Sequence, residues 1–158
     1  MSSQALFGIS VGFSFIAWIT LTAHYVWPRL RNELRHEALK PILILHSFRF
    51  IGLAFLIPGV VSPDLPLAFA RPAAYGDSVA AVLALLALAA LPGRLGFVLV
   101  WVFNLWGSAD LLFAFYQGNQ SGLAPGQLGA AFFIVTVIVP LLLITHALAF
   151  RLLLSKLR

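Results

Sequence analysis

The sequence predicts an all-α protein: an integral membrane bundle of five transmembrane helices, N-terminus outside and C-terminus inside. Three observations carry this expectation. Of the 158 residues, 61% are hydrophobic and only 9% charged, whereas charged residues make up about a quarter of an ordinary soluble domain. The apolar residues gather into five runs, each near the roughly 20 helical residues that a bilayer core of about 30 Å requires. Eight of the ten Lys and Arg residues (Arg29, Arg31, Arg35, Lys40, Arg94, Arg151, Lys156 and Arg158) then fall on one side of the membrane, the side that positive-inside topology makes cytoplasmic. The absence of cysteine removes disulfides and thiolate chemistry. The net charge of +5 belongs to these flanks, and no nucleic-acid module is present.

The whole chain, 1–158, reads as a single membrane domain. The first span, about 5–27, stops at Pro28 and has no basic residue before it, unlike a secretory signal. Ser10, Phe13, Ala17, Thr20 and His24 recur along it at steps of three and four, a stripe suited to close packing. Residues 29 to 40, RLRNELRHEALK, form the hydrophilic block expected as a cytoplasmic loop, with a short surface helix within it. The second span, about 41–61, ends at Pro58 and Gly59, which break helices through a missing donor and backbone freedom. Ser62 to Ala74, with Pro63, Pro66 and Pro72, is expected as an outer loop lying against the bundle. The third span, about 75–91, offers Ala80, Ala81, Ala84 and Ala87 as a narrow surface for helix contact, here assigned to a homo-oligomer, and Asp77 is expected to cap its start. The fourth, about 96–117, follows the turn LPGRLG. The fifth, about 128–150, is interrupted by Pro140, where a kink is expected.

Arg49 organises the chain. It lies nine residues into its span, about 13 Å deep at the helical rise, where a central arginine costs at least ~2.5 kcal/mol unless it faces the interior and is paired. Its expected partners are Asn104 and Asp110, which stand about 60° to either side of Gly107 on one helical face. His46 precedes Arg49 by three residues and shares its side of the helix. His24, His46 and His146 share a level roughly 6 to 8 Å inside the cytoplasmic boundary. Imidazoles converging at one depth suit a transition metal, a haem iron or a proton relay, and equally suit hydrogen-bonded packing.

Three readings follow. One is a polar intramembrane pocket of His46, Arg49, Asn104 and Asp110 that binds or passes a small anionic or protonatable solute. A second is a haem b or metal protein of electron transfer, with His46 and His146 as ligands and His24 beside them. The third is a structural membrane subunit, its buried charges locking helices together, in a homo-oligomer or a larger membrane complex within the lipid bilayer. No phosphate loop, zinc helix motif or serine elbow is present, so the expectation leans away from an enzyme. The runs WVFNLWGSADLLFAFYQ, HSFRFIG and THALAF resemble a family of small uncharacterised multi-span proteins of the proteobacterial inner membrane. That resemblance covers most of the chain and implies a bacterial inner (cytoplasmic) membrane, without an activity. Reporter fusions after Ser62 or Gly118 are expected to read periplasmic, and fusions after Lys40 or Arg158 cytoplasmic; the opposite pattern inverts the topology.

Overall fold

A computed structural model describes residues 1–155, so Lys156 and Arg158 lie outside the described residues. Five helices are long and apolar enough to cross a membrane: α1 (Ser3–Leu30), α2 (Arg35–Leu56), α3 (Leu67–Ala90), α4 (Arg94–Gln120) and α5 (Ile134–Leu154). Helices α2 to α5 close into a ring, α2 on α3, α3 on α4, α4 on α5 and α5 back on α2, while α1 lies outside it against α5.

Prolines explain most departures from the expected boundaries. Helix α3 begins eight residues earlier than Tyr75, directly after Pro66, and carries Pro72 inside it. A proline in a helix deprives the carbonyl four residues back of its donor. Here that carbonyl belongs to Ala68, and Gln117 Nε2 on α4 donates to it at 3.1 Å. Much of the expected outer loop is therefore helix. Helix α2 likewise begins at Arg35 and runs through Pro41, leaving only residues 31–34 of the hydrophilic block as the connection. Helix α1 continues through Pro28 to Leu30. A π-helical turn stands just before Pro28 (Thr22–Val26) and another before Pro140 (Ile134–Ile138). Each adds a residue to the turn and widens the helix ahead of the ring.

Helix α1 buries no residue between Ser3 and Leu21. Phe7, Val11, Trp18 and Thr22 turn toward the bundle, whereas Phe13, Ala17, Thr20 and His24 of the expected packing stripe are exposed. Trp18 Nε1 donates to the Val137 carbonyl at 3.0 Å, fastening α1 to the widened turn of α5.

Helix α2 changes winding midway. It is α-helical to Ser47 and 3₁₀-helical from Phe48 to Leu56. Three residues per turn place every third side chain on one line, and His46, Arg49, Gly52 and Phe55 are the buried positions of this stretch. The ring is layered accordingly. One apolar cluster joins Leu39, Leu43, Ala84, Ala87, Val100, Phe103 and Leu152; another, at the opposite end, joins Phe55, Leu65, Phe69, Ala73, Leu128 and Ile134. The polar residues lie between them. Ala80, Ala81, Ala84 and Ala87, expected as a surface between copies, are at most 5% exposed and are used within the chain.

At the end of the bundle expected to face outward, the two connections are joined. Ala130 donates its amide to the Val60 carbonyl at 2.8 Å, and Ser62 donates to the Gln127 carbonyl at 3.0 Å. Gln127 Nε2 also donates to the Asp64 carbonyl at 3.0 Å. Gly129, at φ +53°, makes the close approach possible, because a Cβ there would collide with the Val60 carbonyl. Gly129→Ala is expected to destabilise the protein by more than about 1 kcal/mol, read as a lower melting temperature in detergent; an unchanged value would show that the joined connections contribute nothing.

Candidate functional site

Each helix of the ring sends polar groups into the middle layer. Arg49 of α2, 1% exposed, donates from Nε to Asp77 Oδ1 of α3 at 2.7 Å and from Nη2 to Asp110 Oδ2 of α4 at 2.8 Å. Its Nη1 faces the Gly107 carbonyl at 3.3 Å and His146 Nε2 of α5 at 3.1 Å. All three guanidinium nitrogens are thus engaged.

These bonds assign the imidazole protons. Arginine only donates, so His146 Nε2 accepts and carries no proton. His146 Nδ1 then holds the proton and donates to Asn104 Oδ1 at 2.6 Å, while Asn104 Nδ2 donates back to the His146 carbonyl at 3.3 Å. His146 is neutral, held so by Arg49. His46 Nε2 lies 2.8 Å from Thr145 Oγ1, and that hydroxyl directs its own proton to the carbonyls of Leu141 and Leu142. His46 therefore donates from Nε2, and its buried Nδ1, a bare lone pair, has no hydrogen-bond partner among the described residues.

Three glycines make the close approach possible. A Cβ on Gly52 of α2 would collide with the Asp77 carboxylate, and one on Gly76 of α3 with the Asp110 carboxylate. On α4, a Gly107 Cβ would stand 2.6 Å from both Arg49 Nη1 and His146 Nε2. Each glycine yields the volume of its missing side chain to a charged or polar group reaching over from a neighbouring helix.

The sequence-predicted residues His46, Arg49, Asn104 and Asp110 all lie in this layer, Asn104 reaching Arg49 through His146. Asp77 completes it and corrects the reading of that residue as a helix cap: it is eleven residues into α3 and pairs with Arg49. A signal was present. Asp77 and Asp110 stand sixteen and seventeen residues to either side of Gly93, so the α3–α4 hairpin brings them to one level.

The three histidines do not converge. His24 is on the exposed side of α1. The rings of His46 and His146 touch, with centroids 4.3 Å apart, and Phe103 packs on both. An iron ligated by the pair would have to stand between them at about 2 Å from a nitrogen of each. There is no such gap, and both His146 nitrogens are already bound, so these residues do not fit haem. Among the described residues, no group of three or more His, Asp or Glu is placed to hold a metal ion.

Two hollows meet at Asp110. One, of about 40 Å³, is bounded by Asp77, Asp110, Phe69, Ala114 and Val135. The other, of about 660 Å³, is a groove between α3 and α4. Arg49→Leu would leave two buried carboxylates without a counter-charge, and the expected loss of stability is about 3–5 kcal/mol. Adding Asp77→Asn and Asp110→Asn to it should recover most of that loss in thermal unfolding; no recovery would show that Arg49 stabilises by packing instead.

No curated protein and no solved structure matches the chain. One family matches it over residues 6–154, described as a domain of unknown function, DUF8737. With nearly its full length matched, all four helices of the ring included, the chain belongs to the DUF8737 family.

Proposed function

We propose that the chain is a multi-pass protein of a bacterial inner membrane, N-terminus out and C-terminus in, whose α2–α5 ring takes up and releases a proton or a small monovalent cation at Asp77 and Asp110. The observation that carries this reading is a charge count. One guanidinium is shared by two carboxylates, and His146 is held neutral by Arg49. One negative charge is left over in a medium of low dielectric, where an uncompensated charge is costly. A third, positive partner removes that cost.

The same bonds argue against an anionic solute, which would have to displace Asp77 or Asp110 from Arg49. Access supports the smaller ligand. The 40 Å³ hollow at the two carboxylates has room for a water or two, given that one water needs about 10–15 Å³ of such volume. It adjoins a hollow of about 220 Å³ that shares Phe69, Ala114, Phe115 and Val135 with it and reaches Gln4 and Asn119 at the outer end. The two hollows share one wall, so Phe69, Ala114, Phe115 and Val135 stand between Gln4 and Asn119 at one end and the carboxylates at the other. A structural subunit is the competing reading, favoured by the full engagement of Arg49.

Infrared spectroscopy separates the two. Arg49 from α2 and His146 from α5 are the other ionisable groups facing the carboxylates, and neither contributes a carboxyl band. Acidifying the folded protein in lipid should raise the carbonyl-stretch band of a protonated carboxyl, shifted by deuterium and removed by Asp110→Asn. If no such band arises while the protein stays folded, and sodium or potassium fails to change the carboxylate bands, the cluster is a structural lock.

A further inference from the structure

The groove between α3 and α4 joins an apolar wall to a carboxylate oxygen that Arg49 leaves free. Tyr75, Val79, Trp106, Ala109 and Phe113 line it, with Asp110 at its inner side. The groove is a fixed feature of the helix pair, since Trp106 Nε1 donates across it to the Gly76 carbonyl at 3.3 Å. Asp110 gives Oδ2 to Arg49 and turns Oδ1 over Gly76, into the space a side chain there would fill. Gly76 lines the same groove. The absence of a Cβ therefore opens the free carboxylate oxygen to a space between two helices at mid-span.

The chemistry of the lining selects the occupant. An acyl chain would cover the wall and leave Oδ1 unanswered. An anion would meet the surplus negative charge of the Arg49–Asp77–Asp110 cluster. A bare inorganic cation would gain nothing from the apolar wall. An organic cation with an apolar body answers both features: its charge faces Asp110 and its body lies against Tyr75, Trp106 and Phe113, whose ring faces attract cations. The volume of about 660 Å³ falls in the range of about 300–1,000 Å³ usual for small-molecule sites.

We propose that the α3–α4 groove is a binding site for a lipophilic organic cation, a quaternary or protonated amine or an onium ion, entering from between the helices and held by Asp110. Because Asp110 also borders the hollow on the other side, the organic cation and the proton compete for one carboxylate. The competition rests on the proton site proposed above; the groove site does not.

The probe is tetraphenylphosphonium, with triphenylphosphine oxide as a neutral analogue, measured by equilibrium dialysis against the purified full-length protein in nanodiscs. Saturable binding of the cation is expected, with the neutral analogue and the Asp110→Asn variant each weaker by at least about tenfold. Ala109→Phe, which fills the groove from its wall and spares the ion pairs, should also abolish binding, and it decides the matter if Asp110→Asn fails to fold. Equal binding of the two probes, or binding that survives Ala109→Phe, would show apolar partitioning and overturn the proposal. A protonated-carboxyl band without phosphonium binding would remove the groove site and leave the proton site standing. Phosphonium binding without that band would do the reverse.

Discussion

A guanidinium held between two carboxylates, far from water at both ends of the bundle, is the constraint on which the rest of the ring depends. The bonds of Arg49 reach three different helices: Asp77 on α3, Asp110 and the Gly107 carbonyl on α4, and His146 on α5. Paired charges in such a setting gain little net stability, because their attraction is offset by lost hydration, yet separating them is costly. They act as a register mark. Sliding any one helix by a turn, about 5.4 Å, would move its partner group out of reach of Arg49. The apolar clusters above and below carry most of the burial, and the charged layer selects which packing of those clusters is tolerated.

The fold was legible where hydropathy alone decides it, as in the five spans and the α3–α4 turn at Gly93. It was least legible at prolines. Pro28 and Pro41 read as helix boundaries and Pro72 as part of a loop, and each proved to lie inside a helix. What permits this is remote in sequence or hidden in winding: the Gln117 side chain that serves the Ala68 carbonyl lies on another helix, and the π turn before Pro28 changes no residue type. The misplacement of Asp77 descends from the same source, since a helix starting at Tyr75 makes a cap of a residue that a helix starting at Leu67 carries to mid-span. For the site, the deep arginine and the inward face of Asn104, Gly107 and Asp110 could be read directly. Depth fixes the level of a side chain and leaves its direction around the helix open, which is why His24, expected at the level of the others, is instead exposed.

The glycines show how an apolar helix accommodates charge. Gly52, Gly76 and Gly107 lie on three different helices, and each yields its missing side chain's volume to a group from a neighbour. Glycine in a helix costs roughly 0.5–1 kcal/mol relative to alanine. That cost is small beside the cost of a buried charge held at a distance from its partner. Small residues thus bring the side chains of one helix against the backbone of the next, where hydrogen bonds between neighbouring helices become short.

The 3₁₀ half of α2 also sets a length. Its nine residues rise about 2.0 Å each instead of 1.5 Å, so α2 is about 4 Å longer than a wholly α-helical segment of the same sequence. Rewinding it as α-helix would retract its C-terminal end by that amount and rotate Phe55 by about 120° relative to Arg49. The joined connection at Val60 and Gln127 would be drawn inward with it. Axial extension and side-chain alignment are therefore a single mechanical variable in this helix, so any load that compresses or stretches it also acts on the alignment of the buried charges.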